Sequence, residues 1–209
     1  MKHLTALFAI LLLAGCSAIP RLEVKETHTV KAGTHTNVLQ NHLTWNDWTN
    51  IYYEYETNDT WAYELGNNDQ CDWNKLSGWS MHFRTNHKNS VMVGVRYDRS
   101  GKILLSPYYH ADGQTYWVGA ACSDLDWVDV PVWGSNVIAV DVGESFEVHW
   151  TVNDAINYTA LTIITAEGVL FWERYWPDFD KTREINPYFG GNQKAPQDWV
   201  IERILKGRE

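Results

Sequence analysis

The stretch Gly78-Trp79-Ser80-Met81-His82-Phe83-Arg84-Thr85-Asn86-His87-Lys88-Asn89-Ser90-Val91-Met92-Val93-Gly94-Val95-Arg96-Tyr97-Asp98 alternates apolar and polar side chains on either side of a polar centre. Trp79, Met81 and Phe83 oppose Ser80, His82 and Arg84 in the first run. Val91, Val93, Val95 and Tyr97 oppose Met92, Gly94 and Arg96 in the second. A repeat of two is that of an extended strand, whose successive side chains point to opposite sides of a sheet. Seating both apolar sets in one core pairs Phe83 with Val91, His82 with Met92, Ser80 with Gly94 and Gly78 with Arg96. The hairpin then turns around His87.

The same pattern runs outward in both directions. Strand-like runs are expected at Asn50–Glu56, Thr60–Leu65, Gly78–Thr85, Ser90–Asp98, Lys102–His110 and Gln114–Ala120. They continue at Asn136–Val142, Ser145–Val152, Ile156–Thr165, Gly168–Trp176 and Asp198–Leu205. Turn residues punctuate them: Asn58-Asp59, Asn67-Asn68, Arg99-Ser100-Gly101, Asp112-Gly113, Asn153-Asp154 and Glu167-Gly168. Many short strands with no amphipathic helix indicate an all-β antiparallel sandwich of jelly-roll, concanavalin-like type. Residues 41–209 form that single domain, and residues 16–40 a tether grading into an edge strand.

The chain has 209 residues, 44% hydrophobic and 21% charged, which suits one globular domain with a sizeable core. Its 17 Lys and Arg against 26 Asp and Glu leave a formal charge of −9 and no basic cluster, which argues against a nucleic-acid partner.

Met1-Lys2-His3 followed by the apolar run Leu4–Leu13 fits a secretory leader too short to span a bilayer. It ends in Leu13-Ala14-Gly15-Cys16, which resembles the lipobox of bacterial lipoproteins. The resemblance implies a signal peptide over residues 1–15, cleavage after Gly15 and acylation of Cys16. Two or three acyl chains make a stable anchor, since each buried CH₂ contributes about 0.8 kcal/mol. By resemblance to sorted lipoproteins of two-membrane bacteria, Ser17 in place of Asp implies the outer membrane of the cell envelope. With Cys16 taken by lipid, Cys71 and Cys122 remain, either as one disulfide or as two buried thiols. A bridge would close a loop of about 50 residues and contribute roughly 4 kcal/mol in the chain-entropy model.

The polar side of the central hairpin is the candidate site. Ser80, His82, Arg84 and Arg96 share a face to which Tyr108 and His110 of the next strand belong, with Gly78 and Gly94 leaving room for a ligand. His149 has the parity to join them. The candidate ligand-binding set is His82, Arg84, His87, Asn89, Arg96, Tyr108, His110 and Trp117. Sugars offer hydroxyls and apolar C–H faces, which planar donors and aromatic rings match in one groove. Two arginines would suit the carboxylates of a uronate polymer. Trp79, Trp150 and Trp199 have core parity, whereas Trp117, Trp127 and Trp133 flank turns and suit exposed platforms.

Trp73-Asn74-Lys75-Leu76, Trp79, His87-Lys88-Asn89-Ser90 and Gly94-Val95-Arg96-Tyr97 resemble a family of uncharacterised bacterial and phage β-sandwich proteins. So do Asn186-Pro187-Tyr188-Phe189-Gly190-Gly191-Asn192 and Ala195-Pro196. The resemblance implies a jelly-roll-like body but supplies no activity. Gly190-Gly191 reads as a tight loop closing the sandwich.

The face holds no carboxylate pair of the kind glycoside hydrolysis needs, Glu147 and Asp141 lying elsewhere. A polysaccharide lyase acting on uronate polymers is the alternative: an Arg to neutralise the carboxylate, His82 or His110 as base, Tyr108 as acid. No His or Cys pattern has metal-ligand spacing, and no cofactor motif is present. The reading is a membrane-anchored envelope lipoprotein that binds carbohydrate or another envelope ligand without catalysis. The other alternative is an interaction lipoprotein with an outer-membrane protein as partner.

Overall fold

A computed structural model describes residues 23–36, 50–82, 87–98, 100–117, 136–177 and 182–208. Two antiparallel sheets carry the fold. The first runs in the order β1 (Val24–Val30), β12 (Trp199–Arg208), β2 (Asn50–Glu56), β8 (Ser145–Asn153), β9 (Tyr158–Thr165) and β10 (Gly168–Tyr175). The second runs β11 (Arg183–Ile185), β3 (Asn74–Ser80), β4 (Ser90–Tyr97), β5 (Lys102–Ala111) and β6 (Gln114–Trp117). β7 (Ile138–Asp141) pairs with the first half of β5, Leu105 facing Ile138, while β6 pairs with its second half.

The alternation seen in the sequence seals the core. Ile51, Tyr53, Tyr55, Val148 and Trp150 from one sheet meet Leu76, Trp79, Val91, Val93 and Ile103 from the other, all buried. Ring contacts fill the space: Tyr55 stacks on Phe146 at 5.4 Å, and Trp61 meets Trp199 edge-on at 5.7 Å. Trp79, Trp150 and Trp199 are all core residues, as their parity required.

The central hairpin has the right faces but a different register. Gly78 pairs with Met92, Trp79 with Val91 and Ser80 with Ser90, four residues from the expected alignment. An even slip leaves every side chain on its own face. The reason lies in Asn89, fully buried, whose side-chain oxygen accepts from the backbone N–H of Asp112 at 3.0 Å. Asn89 also accepts, through its carbonyl, from Met81 N–H at 2.9 Å, which closes the hairpin just beyond the two strands.

One expected strand is corrected. Thr60–Leu65 is not a strand: Asp59–Trp61 forms a 3₁₀ turn capped by Asn58, and the Trp61 indole N–H donates to the Val200 carbonyl at 2.8 Å. That bond holds the segment across β12 instead of within a sheet. β11 is a strand that the sequence reading does not contain, its three residues carrying no pattern long enough to read.

Candidate functional site

The outer face of the second sheet carries a groove of about 650 Å³. Lys75 of β3, Met92 of β4, Tyr108 and His110 of β5 and Thr115 of β6 line it. Its far wall is β11 with Asn186, Pro187 and Tyr188, and Thr36 and His87 stand on its edge. Segments distant in sequence are thereby zipped together. Lys75 and Tyr188 exchange two backbone hydrogen bonds of 2.8 Å, and Thr36 bridges to Tyr188. His35 stacks on the Tyr188 ring at 5.4 Å and bonds the Phe189 carbonyl at 2.9 Å.

Lys75 sits at the centre. Its ammonium donates to the Trp73 carbonyl at 2.7 Å and lies 4.3 Å from the centre of the Tyr108 ring and 5.9 Å from that of Tyr188. Burial lowers its pKa to about 8, against the opposing charge of Asp72. Next to it His110 is held down at about 4, first by burial and then by His87 and Lys75. Its Nδ1 lies 3.0 Å from the Thr115 hydroxyl, and its ring meets those of His87 and Tyr108 edge-on at 5.0 and 5.5 Å. Burial pushes the Tyr108 phenol up. The groove at neutral pH therefore presents a neutral His110, a protonated Tyr108 and a lysine charged below about 8.

Of the expected residues, His87, Tyr108 and His110 meet here. Arg96 does not. It is 2% exposed, donates to the Cys71 carbonyl at 2.9 Å and packs 4.4 Å from the centre of the Trp73 ring, so it ties the Cys71 segment to β4 rather than facing a ligand. Asn89 is buried at the end of the hairpin, and His82 lies 3.4 Å from its side-chain nitrogen, away from the groove lining. Arg84 lies outside the described residues, and so do Trp127, Trp133, Cys16 and Cys122; the side chain of Trp117 is likewise not described. Cys71 is disulfide-bonded.

The glycines also serve another end. A Cβ on Gly78 would collide with the Val91 carbonyl, and one on Gly94 would press on the Trp73 ring and Tyr108 Cβ at 3.2 Å each. Their bareness lets strands and rings close up; it does not open space for a ligand. His149 belongs to the other sheet, where it bonds Glu147 at 2.6 Å and meets Tyr52 edge-on.

Lys75 was missed because the ladder shifts between Lys75 and Gly78. Leu76 and Ser77 both turn inward, Ser77 accepting from the Tyr55 hydroxyl at 2.8 Å. Counted by twos from Trp79, Lys75 falls on the core face; the bulge moves it outside. The signal was a lysine on an apolar face two residues before a Ser-Gly pair. Glu184 also lines the groove, with its carboxylate held by Arg203 at 2.6 Å and by the Tyr53 hydroxyl at 3.2 Å.

No protein-family model matches the chain, and no curated protein matches it in sequence. Among solved structures, an alginate lyase from Klebsiella pneumoniae superposes over 78% of this chain and 59% of its own, with a TM-score of 0.51 and 9% identity. The architecture is a jelly-roll-like β-sandwich. The chain spans about three fifths of that lyase's length. The sialidase CBM40 of Ruminococcus gnavus matches over 89% of this chain and 93% of its own at a TM-score of 0.37 and 11% identity. The CBM2 module of the evolved Dit of Lactobacillus casei BL23 phage J-1 matches over 88% and 70% at 0.35 and 7% identity.

Proposed function

We propose that the chain is a cell-envelope lipoprotein, anchored through acylated Cys16 at the outer membrane, whose sandwich binds a glycan in the groove without catalysis. The observation that carries the binding role is the groove itself. It brings two aromatic rings, Tyr108 and Tyr188, together with the donors of Lys75, His110 and Asn186 around one cleft. Rings cover the C–H faces of a sugar while convergent polar groups select its hydroxyls.

The test titrates the full chain in detergent against a polysaccharide panel and follows intrinsic tryptophan fluorescence. Tyr108→Ala and Tyr188→Ala should each weaken binding about threefold to tenfold, on the order of 1 kcal/mol of ring contact. Unchanged affinity in both folded variants would sink the site. Silence across the whole panel would transfer the role to an envelope protein partner, sought by co-purification.

A second reading, a lyase acting on uronate polymers, is favoured by one arrangement. His110 is neutral, with its ring 5.5 Å from that of the protonated Tyr108. Such a pair matches a base that takes the proton beside a carboxylate and an acid that protonates the departing glycosidic oxygen. Release of unsaturated sugar ends, lost in His110→Ala, would replace binding by turnover.

A further inference from the structure

We infer that the ligand of the groove is an acidic glycan, and that a sugar carboxylate docks on the ammonium of Lys75. The inference rests on the glycan-binding reading and specifies its ligand. Three observations converge.

First, an ammonium carries three N–H donors. The Trp73 carbonyl is the one hydrogen-bond acceptor that Lys75 reaches among the described residues, and no carboxylate there lies within ion-pair distance of it. The two remaining donors sit in a half-buried groove, where a charge-assisted bond to a carboxylate is stronger than in open water.

Second, the groove differs in sign from the rest of the molecule. The chain carries −9 overall, yet Lys75 and Arg183 line this face against one acid. Its acid, Glu184, is bound to Arg203. A cleft of one sign between low-dielectric walls concentrates the field on the opposite charge.

Third, the Tyr108 and Tyr188 rings flank the ammonium at 4.3 and 5.9 Å. They fix its position while offering planar walls to a pyranose ring whose carboxylate reaches between them.

The groups facing Lys75 set the pH dependence. Asp72 raises its pKa against burial, burial pushes the Tyr108 phenol up, and His110 is neutral above about 4. A bound anion favours the charged amine, so its pKa rises on binding. Affinity for a carboxylate sugar is therefore full from about pH 5 to 7 and falls as pH passes above 8.

The experiment pairs each acidic oligosaccharide with its methyl ester: oligogalacturonate, oligomannuronate and sialyllactose, titrated against the full chain at pH 6.5 and 9. The uronate and sialate arms distinguish the two sources of the carboxylate. At least one acid should bind ten times or more tightly than its ester at the lower pH, with that ratio shrinking at the higher. Lys75→Met, which keeps the stem over the rings, should abolish the preference for the acid over its ester. Lys75→Arg, which keeps the charge, should retain most of the preference.

Equal binding of acid and ester by the wild type would overturn the carboxylate site while leaving glycan binding intact. Equal acid binding by folded Lys75→Met would do the same. No binding of any acid, ester or neutral glycan would overturn the broader reading.

Discussion

Replacing Arg203 with alanine should lower the stability of the sandwich by about 3–5 kcal/mol, the usual cost of stranding one half of a buried ion pair. Arg203 points inward from β12, 5% exposed, between two acids from opposite sheets. One Nη donates to Glu184 of β11 at 2.6 Å, the other contacts Glu26 of β1 at 2.6 Å, and the guanidinium lies 4.3 Å from the centre of the Tyr53 ring. Truncation leaves Glu184, 9% exposed, buried and facing an emptied site. The carboxyl loses its charge partner and keeps the Tyr53 hydroxyl as a neutral donor, which undermines β11, the far wall of the groove. Thermal unfolding should fall by roughly 2–4 °C per kcal/mol in a chain of this size. Adding Glu184→Gln removes the stranded charge, so the double variant should be more stable than Arg203→Ala alone. Strict additivity of the two changes would show that the pair is not coupled.

Gly190→Ala should abolish groove binding at a cost of about 1–3 kcal/mol in stability, the range for overpacking a closed site. A Cβ at Gly190 would overlap the backbone carbonyl oxygen of Trp73, which cannot rotate aside. The Gly190 N–H also donates to the Asn74 side chain at 2.7 Å. Relief comes only by lifting residues 188–190 off β3, which breaks the paired bonds between Lys75 and Tyr188 and carries the Tyr188 ring away from Lys75. Titration below the variant's unfolding temperature separates the two effects. A folded Gly190→Ala chain that binds as the wild type does would show that the loop is not part of the site.

The faces of the sandwich were legible because alternation is a local property, repeated on strands as long as β4 and β5. A slip of four residues in the central hairpin did no harm to that reading, since parity survives any even shift. The odd offset at Lys75 was fatal to it, and one bulge hid the residue at the centre of the groove. Arg96 shows the opposite failure. Its position on the outer face was right, but parity says nothing of the Trp73 ring that covers it. Tyr188 and Asn186 reach the site through a nonlocal pairing with β3 that no spacing in the chain announces, although the Asn-Pro-Tyr-Phe-Gly-Gly run marked the place.

The position of β1 bears on how the molecule would behave under tension. Its ladder with β12 holds seven residue pairs, from Val24 with Leu205 to Val30 with Trp199. The chain then leads through Thr36 to the bridge with Tyr188 at the groove. A pull along β1 from ahead of Val24 loads its ladder with β12 parallel to the strands. All the rungs between β1 and β12 share that load in shear; they are not peeled apart one by one. Pulled in that direction, the edge would yield only when its paired hydrogen bonds break together.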